Sequence, residues 1–258
     1  LGGFFVKKNI KMSFDFSVLQ WSFVLIASFI IGLSKAGIKG IDMLNVLLMA
    51  TVFGGKASTG VVLPLLCIAD IIAVIVYKRN VEWIYFKKLM PAMLIGVLLA
   101  VWVGNGIDEA MFKKIISVII ILTIVLMLFL EKTKNAAFPS KYWFSGTIGL
   151  ISGFTTMMGN LAGAFSNIYF LALKLDKKTF IGTAAWVFLV INLFKLPFQV
   201  FVWKNVNQQT FLLDIVLLPA LFLGFYVGLK LLGRINENMF RKLVMIITFL
   251  GSLLILFR

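Results

Sequence analysis

Long uncharged runs punctuate this chain: Phe16–Ser34, Leu89–Ile107, Ile115–Leu130, Tyr142–Leu173, Ile215–Leu229 and Leu243–Phe257 each pass fifteen or more residues without a formal charge. A hydrocarbon layer about 30 Å thick needs roughly 20 apolar residues at about 1.5 Å per helical residue. Each run is therefore close to the length of a membrane crossing. Apolar and polar residues do not alternate at period two, which excludes transmembrane strands. Backbone amides in lipid can then be satisfied only within helices. The pattern predicts ten apolar segments, 16–34, 41–54, 57–77, 89–106 and 111–130, then 142–157, 161–173, 178–202, 210–229 and 238–257. The second and seventh are too short to span. They are expected to be half-helices folded back on their predecessors through Gly-containing breaks.

The two sets of five are related by an internal repeat. Pro91–Ile116 laid on Pro219–Val244 aligns Pro91 with Pro219, Ala92 with Ala220, Gly96 with Gly224, Glu109 with Glu237, Met111 with Met239 and Lys114 with Lys242. Identity at Pro, Met and charged positions is harder to reach by chance than Leu on Ile, so the reading is duplication. With a small shift Gly60 falls on Gly182, Asp70 on Asn192 and Asn80 on Asn205, and the break at Gly32–Gly40 falls opposite Gly153–Gly163. The expected organisation is an N-terminal segment 1–15, a first transmembrane repeat 16–130, a cytoplasmic linker 131–141 and a second repeat 142–258.

Basic residues set the orientation. Successive loops carry four Lys and Arg in 78–88, two in 107–114, three in 131–141, three in 174–178, one in 203–209 and four in 230–242. The excess places 78–88, 131–141, 174–178 and 230–242 in the cytoplasm. Loop 78–88 is then inside while its repeat-mate 203–209 is outside. An odd number of crossings per half gives this flip, the inverted-repeat arrangement of secondary transporters. The same parity puts the N-terminus outside, which favours a start at Met12 over one that leaves Lys7, Lys8 and Lys11 ahead of the first segment. No cleavable signal peptide is evident.

Composition narrows the chemistry. Hydrophobic residues make up 61% of the 258 and charged ones 14%, too few to clothe a water-facing surface. The net charge of +15 sits at segment ends, as in cytoplasmic loops, and so does not point to nucleic acid. There is no His, and Cys67 stands alone. Imidazole relays, His-ligated metals and disulfide frameworks are thereby excluded, and no cofactor or metal is expected.

Ionisable groups inside spans cost at least a few kcal/mol each, so they mark sites or pairs. Lys35 and Lys39 lie in the first break, followed by Asp42 and Asn45; Asp70 lies past the middle of the third segment; Lys195 is deep in the eighth, beside Pro197. A Gly-rich break bares the N–H groups of the next half-helix, and that positive end with Ser34, Lys35 and Gly37 would make an anion site. The opposite break contributes Thr155, Thr156 and Asn160, and the eighth segment Asn192 and Lys195. Lys35 and Lys39 could instead snorkel from an interfacial loop, and Lys195 could be an ion pair with Asp70 or Asp214. Asp70 is open between that counter-ion role, a proton site and an interfacial position. Pro197 is expected to kink its helix. Gly96, Gly224 and Gly228 are expected to permit close helix approach, and Trp21, Trp83, Trp143 and Trp203 to form an aromatic belt.

Taken in order, Gly32-Leu-Ser-Lys-Ala-Gly-Ile-Lys-Gly40, Leu63-Pro-Leu-Leu66 leading to Asp70, Pro91 with Gly96, Asn160-x-x-Gly163, Lys177-x-x-Phe180-x-Gly182-Thr183 and Asn192-x-x-Lys195-x-Pro197 resemble the sulfite exporter TauE/SafE family, also called the sulfonate uptake permease family. The resemblance runs from about residue 18 to 257. It implies an all-α polytopic permease of a bacterial inner membrane that moves sulfite, organosulfonates or related carboxylates by proton- or ion-coupled alternating access. The expected partners are that small anion and membrane lipid, with a homodimer compatible. A membrane-embedded enzyme would need acids or His gathered at one face, and the ten Asp and Glu are scattered. An uncoupled anion channel is the other alternative.

Overall fold

The computed structural model describes residues 16–38, 40–77, 80–132, 142–173, 175–231, 246, 249, 250 and 253. The expected N-terminal segment, most of the 131–141 linker, Lys39 and nearly all of the tenth segment lie outside them. The described residues form α1 (Val18–Lys35), α2 (Asp42–Phe53), α3 (Gly55–Tyr77), α4 (Trp83–Asn105), α5 (Glu109–Lys132), α6 (Tyr142–Gly159), α7 (Ala162–Ala172), α8 (Lys177–Pro197) and α9 (Gln208–Leu231), with a π-helical turn at Phe198–Val202 after α8. Nine of the ten expected segments are thus helices, with boundaries mostly shifted by one to three residues; α4 begins six residues earlier than expected. Five of them, α1, α3, α4, α8 with its π turn, and α9, are long and apolar enough to cross a membrane. Their outer faces carry Trp102 at 76% and Phe201 at 75% exposure, side chains suited to lipid rather than water.

Local sequence fixes the ends. Ser17 and Gln20 form a reciprocal capping box at the start of α1, and Asp176 caps α8 by accepting from the Lys178 and Thr179 amides. The α1–α2 turn uses Gly37 at φ +116° and Gly40 at φ +87°, left-handed values that a side chain would strain. In the α6–α7 turn the same role falls to Asn160 at φ +56°, a residue type that tolerates this region. The two short helices do fold back. Phe16 before α1 meets Phe53 at the end of α2 edge to face, and Phe144 early in α6 meets Tyr169 late in α7, with centroids 5.6 and 6.5 Å apart. At Pro197 the chain does not simply kink. Proline donates no backbone hydrogen bond, and the following turn widens to π geometry, with the Trp203 amide bonded to the Phe198 carbonyl.

Two tight helix pairs frame the molecule. α1 packs along α9 and α4 along α6, and both pairs run parallel. A methyl on Gly32 would lie 2.1 Å from the Leu221 carbonyl oxygen, and one on Gly224 would lie 2.0 Å from that of Phe29. The other pair repeats this: Gly96 meets the Leu150 carbonyl at 2.1 Å and Gly153 meets that of Met93 at 2.0 Å. Each crossing exists because there is no Cβ in the way. Around α4 and α6 lies one apolar core, with Leu89, Met93, Phe112 and Met157; around α1 and α9 lies another, with Val24, Ile31, Leu65 and Leu217.

Between the pairs, α3 and α8 run antiparallel and hold many of the buried polar side chains. Gly60 of α3 faces Asn205 beyond α8, and Gly182 of α8 faces Asn80 beyond α3, with a notional Cβ 2.2 Å from a neighbouring atom in both cases. Phe144, Tyr85, Tyr169, Phe170 and Phe180 gather the starts of α4, α6 and α8 with the end of α7 at one face. At the other face Glu109 of α5 accepts from the Gly55 and Lys56 amides, and Lys56 Nζ donates to the Gly104 carbonyl at 2.6 Å. Trp203 departs from the belt expected of it. It is 7% exposed, with its ring against Gly104 and Phe112, because Gly104 leaves a slot that the indole fills.

Gly224→Ala is expected to lower the unfolding midpoint of the detergent-purified protein by an amount corresponding to about 1–3 kcal/mol, since a methyl must push the Phe29 backbone away. Gly146→Ala, whose methyl would meet nothing within 4 Å, is expected to be neutral or to stabilise by up to about 1 kcal/mol. Equal effects in the two melts would refute the crossing as the cause.

Candidate functional site

Both hairpin turns deliver residues to one cavity of about 80 Å³, room for on the order of five waters or one small oxyanion. From the first turn come Ser34, Lys35 and Gly37, and from the second Thr156 and Asn160. Asp70 of α3 and Asn192 of α8 complete its floor, while Phe180 and Ala184 carry its wall toward the face where α8 begins.

Lys35 Nζ forms an ion pair with Asp70 Oδ1 at 2.7 Å and lies 4.5 Å from the centroid of the Phe188 ring. Lys35 is 12% exposed and Asp70 fully buried, so each charge depends on the other. This settles the partner of Asp70: it is Lys35, not Lys195, and α3 does not end before reaching it. The hairpin tip reaches so far along α3 that the Tyr77 hydroxyl bonds to the Ala36 carbonyl at 3.1 Å.

Lys195 has no exposed surface and does not line the cavity. It stands one layer behind, donating to Asn160 Oδ1 at 2.6 Å, Asn192 Oδ1 at 3.1 Å and Thr156 Oγ1 at 3.2 Å. An ammonium has three protons and no acceptor capacity, and three oxygens meet it, so the shell suits the charged form. Asn192 passes the effect on, since its Nδ2 donates to Asp70 Oδ2 at 2.7 Å. Lys35, Asp70, Asn192, Lys195 and Asn160 therefore form one chain across α1, α3, α8 and the α6–α7 turn.

The chain continues away from the cavity. Asn160 Nδ2 donates to the Thr59 carbonyl, Gln199 in the π turn donates to Thr59 Oγ1 at 2.9 Å, and Asn205 donates to both Gln199 Oε1 and the Lys56 carbonyl at 3.0 Å. These contacts join the start of α3 to the π turn and the loop after it, at the end of the α3–α8 seam away from Phe180.

Eight of the nine residues singled out in the sequence meet here, seven on the cavity wall and Lys195 behind it. Thr155 does not join them: its hydroxyl turns back to the Ile151 and Ser152 carbonyls of its own helix. Asp42, Asn45, Asn167 and Phe188 also line the cavity. Asp42 accepts from the Ser34 hydroxyl, and a methyl on Gly163 would sit 3.6 Å from Asp42 Oδ2, which shows how closely the starts of α2 and α7 approach. Helical spacing carries a signal for most of the additional residues: Gly163 and Asn167 share a face of α7, and Phe180, Ala184, Phe188 and Asn192 share one of α8. Formally the site holds two cations, Lys35 and Lys195, and two carboxylates, Asp70 and Asp42.

Lys35→Met leaves Asp70 buried without its cation and is expected to cost about 3–5 kcal/mol in unfolding, with Lys35→Met/Asp70→Asn recovering most of it. Additive losses in the double variant, read by chemical denaturation in detergent, would refute the pair as a unit.

No curated protein and no solved structure matches the chain. At the level of a family model, that of TauE, the sulfite exporter TauE/SafE family, matches residues 22–255, and the chain belongs to this family of multi-pass membrane transporters.

Proposed function

We propose that this protein is a secondary transporter that carries a small oxyanion, such as sulfite, an organosulfonate or a related carboxylate, across a bacterial inner membrane by alternating access. The observation that carries the reading is the convergence of both hairpin turns on one cavity floored by the Lys35–Asp70 pair and backed by Lys195.

The entering anion competes with Asp70 for Lys35 and takes hydrogen bonds from Ser34, Thr156 and Asn192. Lys195 keeps the Thr156 and Asn192 oxygens occupied, and this turns the Asn192 amide N–H toward the site. Because the formal charges of the site cancel once Lys195 behind the cavity is counted with Lys35, Asp70 and Asp42, a bound anion adds one uncompensated negative charge in a low-dielectric place. Movement of a cation or proton in the same cycle would relieve that cost, which supports coupling.

Reciprocal contacts support reading residues 16–130 and 142–258 as two inverted copies, each opening with a helical hairpin, α1–α2 or α6–α7. Gly60 and Gly182, paired in the repeat, each touch the Asn that is the other's repeat-mate, and the Gly32–Gly224 crossing has its twin at Gly153–Gly96. With the basic loops inside, the cavity opens toward the cytoplasm and the Thr59–Gln199–Asn205 contacts seal the outer side.

The test is uptake and binding with purified protein. A saturating anion, at about 100 times its dissociation constant, is expected to stabilise the fold by about 2.7 kcal/mol in a thermal-shift series of sulfite, sulfonates and carboxylates. The same anion should accumulate in proteoliposomes under an imposed pH difference. Lys35→Ala and Lys195→Ala should abolish both signals while the proteins remain monodisperse. Unchanged affinity in both variants would sink the site assignment.

A further inference from the structure

Away from the cavity, α9 carries a buried carboxyl group that no hydrogen bond from the described residues answers. Asp214 is 2% exposed and neither of its oxygens has a hydrogen-bond partner among the described residues. The buried positions of α9 include Asp214, Leu217, Leu221, Gly224 and Gly228, the helical stripe that packs on α1 and α3. Asp214 therefore occupies a packing position. Its neighbours Leu213 and Leu217 belong to an apolar cluster with Ala27 of α1 and Val62 and Leu65 of α3.

The packed elements offer it few charged or titratable groups, and nearly all are engaged elsewhere. On α1, Lys35 is paired with Asp70. On α3, Lys56 donates to Gly104, Asp70 is held by Lys35 and Asn192, and Tyr77 donates to Ala36. Cys67 of α3 is buried within electrostatic reach of Asp214 and does not bond to it. On α9 itself, Lys230 lies over the Tyr226 ring. Among the described residues an ionised carboxylate in this place would be a buried charge without a counter-charge, and such a charge is costly in an apolar surrounding.

Asp214 also lies only six residues, about 9 Å of helix, from the start of α9 at Gln208, on the sealed face. A proton there has a short way to water once the seam between α9 and α3 parts. We propose that Asp214 is a proton-binding latch: with the proton on, the α1–α3–α9 seam closes and the cavity-open form is favoured; when the seam opens, the carboxyl O–H bond breaks, the proton passes to water and the carboxylate is left hydrated. The proposal rests on the alternating-access reading and adds to it the group through which pH on the sealed side sets the balance of the two forms.

Two measurements, neither requiring an anion, test the latch. In the infrared spectrum at neutral pH, wild-type protein should show the carbonyl stretch of an un-ionised carboxylic acid that Asp214→Asn lacks and Asp70→Asn retains. If Asp214→Asn does not fold, Asp214→Glu carries the same test, its acid band shifting only if residue 214 is the source. Second, Val62→Cys in a Cys67→Ala background places a thiol in the seam. The ratio of its alkylation rate to that of the same protein carrying Asp214→Asn should rise with pH by up to about tenfold per unit, because one proton separates the two forms. An acid band unchanged in Asp214→Asn, or a rate ratio flat with pH, overturns the proposal. Failure of the wild-type protein to move any anion would sink the transport reading and leave these two results standing.

Discussion

A lysine ammonium with no exposed surface, in a molecule whose outer faces are apolar, must find an oxygen for each of its protons or lose its charge. Lys195 finds three, on Thr156, Asn160 and Asn192. The requirement ties α6, the α6–α7 turn and α8 to one point, and through Asn192 and Asp70 it reaches Lys35 at the end of α1. Much of the polar interior can be understood as the means of keeping two cations solvated where water is scarce.

The glycine crossings make that interior reachable. With Gly32 against α9, Gly153 against α4 and their partners Gly224 and Gly96, the outer helix pairs approach to backbone contact. The separate apolar cores around each pair leave the α3–α8 seam as the place where polar side chains accumulate. The arrangement divides labour between stiff apolar pairs and a hydrogen-bonded seam that can exchange partners at lower cost, since one hydrogen bond can replace another.

Much of this was legible in the sequence, for identifiable reasons. Glycine and charge are scarce in apolar segments, so Gly32–Gly40, Asp70, Asn192 and Lys195 announced the breaks and the buried polar positions, and the short second and seventh segments announced the hairpins. Rotation about a helix axis was not legible where a helix is apolar all round. Thr155 and Thr156 differ by about 100° of rotation, and only packing decides which faces the cavity. The Lys35–Asp70 pairing depended on how far the first hairpin reaches along α3, and Trp203 on a slot that Gly104 opens in a different helix. Both are tertiary facts with no local signature. The π turn after Pro197 was likewise hidden, because the proline signals a disturbance without saying how the chain absorbs it.

The cancellation of charge around the cavity has a consequence for how ions are gathered. A neutral constellation projects little field beyond a Debye length of about 8–10 Å, so the floor exerts no pull on a distant ion. The exposed lysines at the face where α4 and α8 begin, Lys87 and Lys178 among them, lie on the side toward which the cavity wall runs. For the anion proposed above, long-range attraction then falls to these surface lysines and discrimination to the floor, so capture rate should respond to ionic strength while selectivity does not.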